Sequence, residues 1–346
     1  MKNNTLMKNF INAISISYKT LFMIIKHLIQ LLKNRKYKTI KVHHHRLIID
    51  PHFDLGLREY YNFVTQLCID SISQLPLEIP AHTFTLGIDE DIFIKKNIQK
   101  KLVFQVEHTL VKPGGRGSAD APLSTTRIHN THDFYLVRIQ NQAKLINYDL
   151  IMEYSRPNFK HIRDSKLFND YLQKVCVISP TLYPLNTQLI SKTHRQINTI
   201  TLFRDTNQAR RRQFLEKLRE YKIPFQNINH RFKNLEEVYL NTKILINIRQ
   251  TDHHDTLEEL RILAALRCGV IVISENAPLK EYCRYSNFIL WGNIEDLPMI
   301  IQDVQKNYLQ YHQNIFNASF YTRMQRLEKS NQLRSHQAIS HLANLI

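Results

Sequence analysis

From Ile197 to Glu275 the sequence repeats one unit, a short apolar run followed by a longer amphipathic one. "INTITLF", "IPFQNI", "TKILINI" and "VIVISE" read as strands. "NQARRRQFLEKLREYK", "FKNLEEVYLN" and "TLEELRILAALRC" between them read as helices. Asp255 or Thr256 is the expected cap of the last helix, and Gly269 stands where a helix C-terminus needs a left-handed residue. Successive β-α-β units of this kind build a doubly wound sheet, and the fold class is α/β.

The first half carries the same alternation in looser form. "YYNFVTQLCIDSISQ" reads as a helix; "HTFTLG", "KLVFQVEHTL", "FYLVRI", "LINYDLIMEYS" and "VCVISP" read as strands. "HHHRLIID" reads as a strand whose histidines point alternately, which suits solvated or phosphate-near side chains better than a metal cage. At 346 residues the chain is long for one core, so two domains are expected.

Lys and Arg number 47 against 30 Asp and Glu, a net charge of +17, so the partners sought are polyanions: phosphorylated substrates, an anionic membrane face or nucleic acid. Cys68, Cys176, Cys268 and Cys283 lie far apart in mostly apolar runs, which reads as reduced buried thiols of a cytosolic protein. The N-terminus is apolar and basic together. Its longest uncharged run, Asn9 to Tyr18, is too short for the roughly 18 to 20 residues that cross a bilayer. An amphipathic helix lying on an anionic leaflet and one packed on its own domain are equally compatible with it.

Ligands of doubly wound sheets bind beyond the C-terminal strand ends. There the sequence places Arg204, Asp205, Thr206 and Asn207, then Arg210, Arg211 and Arg212; Arg249 and Gln250 before Glu258, Glu259 and Arg261; and Glu275 with Asn276. A helix N-terminus beside arginines suits a diphosphate, and carboxylates at the same place suit sugar or ribose hydroxyls. The run from Thr199 to Glu275 resembles the donor-binding domain of GT-B glycosyltransferases of the broad group 1 type. On that resemblance Asn247, Glu258, Arg261, Gly269, Ser274 and Glu275 match motif positions. Two departures stand out: Arg204 and Asp205 replace the usual Gly-Ser, and Ala264 replaces a frequent glutamate.

The resemblance implies two Rossmann-like domains facing across a cleft, and the basic apolar N-terminus adds an amphipathic helix before them. The implied organisation is 1–40 for that helix, 41–180 for the acceptor-side domain, 181–198 for a linker, 199–320 for the nucleotide-sugar domain and 321–346 for a C-terminal helix. The expected donor residues are Arg204, Arg211, Asn247, Arg249, Glu258, Arg261, Ser274 and Glu275. The reaction implied is metal-independent transfer of a sugar from a nucleotide-sugar to a glycan or lipid-linked acceptor, in the cytoplasm or at the inner membrane face.

The chain holds only 7 glycines, and three of them fall in "KPGGRGSAD". Gly114, Gly115 and Gly117 permit close backbone approach to a ligand, while Lys112 and Arg116 add charge for a phosphate; a mobile surface turn needs the same glycines. Glu107, His108 and Asp120 are the candidates for a catalytic base. Asp89 to Asp91 fit a charged turn before a helix better than a metal site. No cofactor or metal is expected. Two other readings remain open: a nucleic-acid-binding protein, disfavoured because the basic residues are dispersed and no recognition motif accompanies them, and a non-catalytic GT-B-like domain.

Overall fold

The computed structural model describes residues 37–51, 57–88, 98–106, 126–129, 134–137, 148–166, 172–204, 206, 209–228, 235–249 and 257–345. The expected N-terminal helix, Asp89 to Asp91, Glu107, His108, Lys112, Gly114, Gly115, Arg116, Gly117, Asp120, Asp205, Asn207, Gln250, Asp255 and Thr256 lie outside these residues. By contacts the chain divides after Lys38, and the described elements belong to the second unit, residues 39–346, with the strand that leads into it.

In the second unit the first half forms a six-stranded sheet. β1 (Lys38–Val42) and β2 (His45–Ile49) flank a two-residue turn; helix α1 (Arg58–Ser73), β3 (His82–Leu86) and β4 (Ile98–Gln105) follow. β5 (Thr126–His129) and β6 (Phe134–Val137) pair antiparallel by themselves. Next come β7 (Leu150–Glu153), α2 (Arg156–Ser165) and β8 (Val175–Val177). The sheet order is β1-β2-β3-β4-β7-β8, and the four pairs from β2 to β8 are parallel. Burial on both faces explains strands as apolar as "LIME", every residue of which is buried.

The histidine run departs from the expectation that it is one solvated strand. His43, at φ 52°, and His44 make the turn, and only His45 enters β2. His45 is buried and stacks on His82, with ring centroids 6.0 Å apart, and its Nδ1 accepts from the His82 amide at 3.2 Å. Burial pulls its pKa down to about 4, so it is a neutral core histidine at neutral pH. The sequence shows three polar side chains; only the pairing of β2 with β3 decides which is turned into the core.

A short helix α3 (Thr187–Ile190) leads to the second sheet: β9 (Ile197–Thr201), α4 (Ala209–Glu220), β10 (Gln226–Asn227), α5 (Leu235–Leu240), β11 (Thr242–Asn247), α6 (Glu259–Arg267), β12 (Ile271–Glu275) and β13 (Ile289–Gly292). All pairs are parallel in the order β10-β9-β11-β12-β13. The order reverses between β9 and β11, and that reversal opens a crevice at the strand C-termini. The helix opening differs from expectation: the N-cap of α6 is Glu258, without a side-chain capping bond, because its carboxylate is held by arginines instead.

Gly269 closes α6 as expected. At φ +77° its amide bonds the Leu266 carbonyl at 3.0 Å, and the Val270 amide reaches Ala265 at 3.1 Å, the paired bonds of a Schellman end. A Cβ there would lie 2.6 Å from the Arg195 guanidinium and 3.0 Å from the Ile190 backbone. Gly269→Ala is therefore expected to lower stability by roughly 2–4 kcal/mol, from the left-handed penalty plus overpacking. An unchanged denaturant midpoint would show that the segment around Ile190 yields.

Helices α7 (Leu297–Lys306) and α8 (Tyr308–Ile315) precede α9 (Ala318–Asn344), which is about 40 Å long at 1.5 Å per residue. Its buried stripe includes Phe320, Met324, Leu327, Asn331, Ser335, Ile339 and Leu342, steps of three or four that keep one face inward. Phe320, Met324 and Leu327 join the core of the second sheet, while Ile339, Leu342 and Ala343 join that of the first. Asn331 bonds both the amide and the carbonyl of Ser179, at 2.9 and 2.7 Å. All four cysteines are buried and unpaired. Among the described residues no helix is long and apolar enough to cross a membrane.

Candidate functional site

The reversal between β9 and β11 gathers side chains from four elements. β11 ends in Asn247, whose Cα pairs in register with Ser274 of β12; its Nδ2 donates to Ser274 Oγ at 3.0 Å, and that hydroxyl donates to the Glu275 carbonyl at 3.1 Å. These short polar side chains tie the ends of two neighbouring strands. They also aim the next residues, Arg249 and Glu275, into one place.

Glu275 is almost wholly buried and carries two arginines. Its Oε2 accepts from the Arg249 amide at 3.1 Å, and its Oε1 accepts from the Arg249 guanidinium at 2.8 Å and from Arg210 at the start of α4. Glu258 is arranged the same way: Arg261 reaches it at 2.8 Å, one turn along α6, and Arg211 lies at 3.6 Å. Arg211 is itself buried, with its guanidinium 4.8 Å from the centroid of the Phe203 ring. Arg204, beyond β9, is exposed.

Of the expected donor residues, the structure thus places Arg204, Arg211, Asn247, Arg249, Glu258, Arg261, Ser274 and Glu275 at the C-terminal edge of one sheet. The geometry adds a point that spacing did not supply. Glu258 and Glu275 are engaged by arginines, so in this state each carboxylate holds two guanidinium groups in position and lowers the cost of crowding them. Arg210, left out of the expected donor set, belongs to the cluster; its place on the first turn of α4 beside Arg211 was the available signal. Four arginines against two glutamates leave the crevice positive, and the N-termini of α4 and α6 both follow strands that end there. Such a crevice stabilises a bound diphosphate by charge-assisted hydrogen bonds.

A second cluster joins the two halves of the unit. Ser155, the N-cap of α2, donates from Oγ to Glu259 Oε1 at 2.5 Å, and Tyr285 donates to Oε2 at 3.0 Å. Glu153, fully buried at the end of β7, accepts from the Ser155 amide and from Asn158, each at 3.0 Å. The sequence placed Glu259 beside Glu258 at the helix start, but its carboxylate is turned away from the arginines, to Ser155 and Tyr285. Burial pushes the Glu259 carboxyl up to about 7, against the hydrogen bonds from Ser155 and Tyr285 that favour the ionised form.

Because this folded-state value lies above the ordinary 4.5, the folded protein keeps a proton between those values that the unfolded chain releases. The contribution of Glu259 to stability accordingly falls as pH rises through that window. Glu259→Gln is expected to match the parent near pH 5 and to exceed it at pH 8 by up to about 3 kcal/mol. Denaturant titrations at the two pH values read this directly. A gap between parent and variant that does not change with pH would overturn the assignment.

Among the described residues, no group of three or more His, Cys, Asp or Glu is placed to hold a metal. The candidate base residues Glu107, His108 and Asp120 and the loop residues Lys112, Gly114, Gly115, Arg116 and Gly117 lie outside the described residues.

No protein-family model matches the chain, and no curated protein does. Among solved structures it is similar to a variant of the wall teichoic acid polymerase TagF, at 12% sequence identity and a TM-score of 0.32, over 75% of this chain and 73% of that one. A likeness this coarse says nothing about function on its own.

Proposed function

We propose that the protein is a glycosyltransferase that moves a sugar from a nucleotide-sugar donor to a glycan or lipid-linked acceptor in surface polysaccharide or glycoconjugate synthesis. The observation that supports this reading is the convergence of Arg210, Arg211, Arg249 and Arg261 on the strand-order reversal between β9 and β11. That is where open α/β sheets take nucleotides.

The donor diphosphate would lie across the first turns of α4 and α6. As the sugar leaves, negative charge grows on the departing phosphate, and guanidinium groups already held by Glu258 and Glu275 stabilise it without reorganising. Arginines can supply this charge themselves, so the reading is of a transfer that needs no metal. Asn247 and Ser274 would position rather than react. The acceptor, the loop residues Lys112 to Gly117 and a base among Glu107, His108 and Asp120 complete the proposal from the sequence alone. The basic apolar N-terminus would hold the enzyme peripherally at the inner face of the membrane.

The test is a thermal-shift screen of the full chain against nucleoside diphosphates and their sugars, with and without a chelator. A nucleotide at a hundred times its dissociation constant adds about 2.7 kcal/mol of stability. A shift with one nucleotide family that survives chelation supports the reading and names the donor class. No shift with any of them would favour a non-catalytic domain.

A further inference from the structure

A cavity of about 650 Å³ lies on the far edge of the first sheet and shares no lining residue with the arginine cluster described above. Its walls are the edge strand β8, one face of α2 and one face of α9. Arg156, Lys160 and Arg163 stand at i, i+4 and i+7 on α2, so one stripe of that helix is basic. Across from them α9 offers Arg334, Gln337 and Ala338 at i, i+3 and i+4. The floor is apolar, made by Phe159, Val175 and Val177.

The four lining cations meet no lining carboxylate. Asp164, on the solvent side, bridges Lys160 and Arg163, and Glu259 lies behind Arg156. Among the described residues Arg156, Arg284 and Arg334 form no ion pair. Arg334 donates to the Val177 carbonyl at 3.3 Å, capping the unpaired edge of β8, and Arg284 donates to Ser330 Oγ at 3.3 Å. Burial and then the charges of Arg284 and Arg334 pull Arg156 down to about 10. Like charges crowded beside an apolar floor are costly in the empty state, and an anion placed among them removes that cost.

We propose that this cavity binds a phosphate-bearing ligand, its phosphate held between α2 and α9 by Arg156, Lys160 and Arg334 and its apolar portion resting on Phe159, Val175 and Val177. Several cations around one site suit the two charges and three terminal oxygens of a phosphate monoester better than the one charge and two oxygens of a carboxylate. The volume suits one small molecule or headgroup. Tyr282 closes the rim, with the Lys160 ammonium 5.0 Å from its ring centroid. A phospholipid headgroup and a soluble phosphate ester share this chemistry. The site goes beyond the transferase reading and does not depend on it.

The test uses the full chain and two probes: inorganic phosphate by titration calorimetry, and vesicles of equal parts phosphatidylglycerol and phosphatidylcholine by co-sedimentation, with pure phosphatidylcholine as the blank. Lys160→Gln with Arg334→Gln is compared with Lys192→Gln plus Lys329→Gln, which removes the same charge from exposed positions. The cavity pair is expected to weaken phosphate binding at least tenfold, with the control pair unchanged. Loss of vesicle binding in parallel identifies a lipid headgroup as the source; equal vesicle binding by both pairs identifies a soluble ester. Should the double variant not fold, Lys160→Gln alone, at a partly exposed position, is expected to weaken phosphate binding several-fold. Phosphate affinity equal in parent, cavity pair and control pair, or no phosphate binding by the parent, overturns the proposal.

Discussion

Arg195→Ala is expected to lower the unfolding free energy by about 3–5 kcal/mol, a large part of the roughly 5–15 kcal/mol that holds an ordinary fold together. Arg195 is only 4% exposed. Its guanidinium donates to the carbonyls of Tyr239 at 2.9 Å, Thr242 at 3.1 Å and Cys268 at 2.8 Å, and its Nε donates to Lys192 at 3.0 Å. Tyr239 lies in the last turn of α5 and Cys268 is the C-cap of α6, so one side chain satisfies orphan carbonyls at the negative ends of two helices. Alanine would leave those buried acceptors without a donor and a void where the guanidinium lay. Arg195→Lys is expected to recover only part of the loss, since one ammonium cannot reach acceptors spread around a planar fork. Equilibrium unfolding in urea measures both variants; a loss under 1 kcal/mol for alanine would mean that water replaces the guanidinium at low cost.

Arg249→Ala is expected to weaken nucleotide binding by roughly ten- to a hundredfold, or about 1.5–3 kcal/mol, with little change in the unfolding midpoint. Arg249 contacts Glu275 through both backbone and side chain, and Arg210 remains to pair Glu275 when the Arg249 side chain is removed. The fold therefore loses little, while the crevice loses a charge aimed at the proposed diphosphate. Arg211→Ala is a poorer probe because Arg211 is buried against Phe203, and its removal costs packing as well as charge. Calorimetry with the nucleotide found by the thermal-shift screen reads the affinity. Arg249→Lys separates the two roles of the guanidinium: partial rescue shows that charge matters, and no rescue shows that the fork does. An Arg249→Ala protein that binds nucleotide as tightly as the parent removes this residue from the donor site.

The second sheet was legible because its central strands β11 and β12 are almost wholly buried and its helices are amphipathic. Both states write their period into short runs such as "ILINI" and "LEELRILAALR". Gly269 was legible for a related reason, since a left-handed helix end selects residue type directly. The histidine run was misread because alternation along a strand assumes that the strand has begun; the turn at His43 and His44 shifts its start to His45. The cap of α6 could not be read from residue type, because Glu258 is claimed by Arg261 and by Arg211, 47 positions away in the sequence.

By itself the sequence determined the α/β class, the parallel strand–helix units after Ile197, the helix end at Gly269 and the residues standing at the strand C-termini. These follow from local rules, because periodicity, caps and left-handed positions involve neighbours a few residues apart. Only the tertiary structure decided that β9 and β11 are adjacent and that Glu258 and Glu275 each hold two arginines. It alone decided that Glu259 is buried against Ser155 and that α2 and α9 face each other across a basic cavity. Apart from the Arg261–Glu258 pair, those contacts join residues from 26 to more than 170 positions apart, and their geometry depends on strand order and on the course of one long helix, which no local pattern encodes.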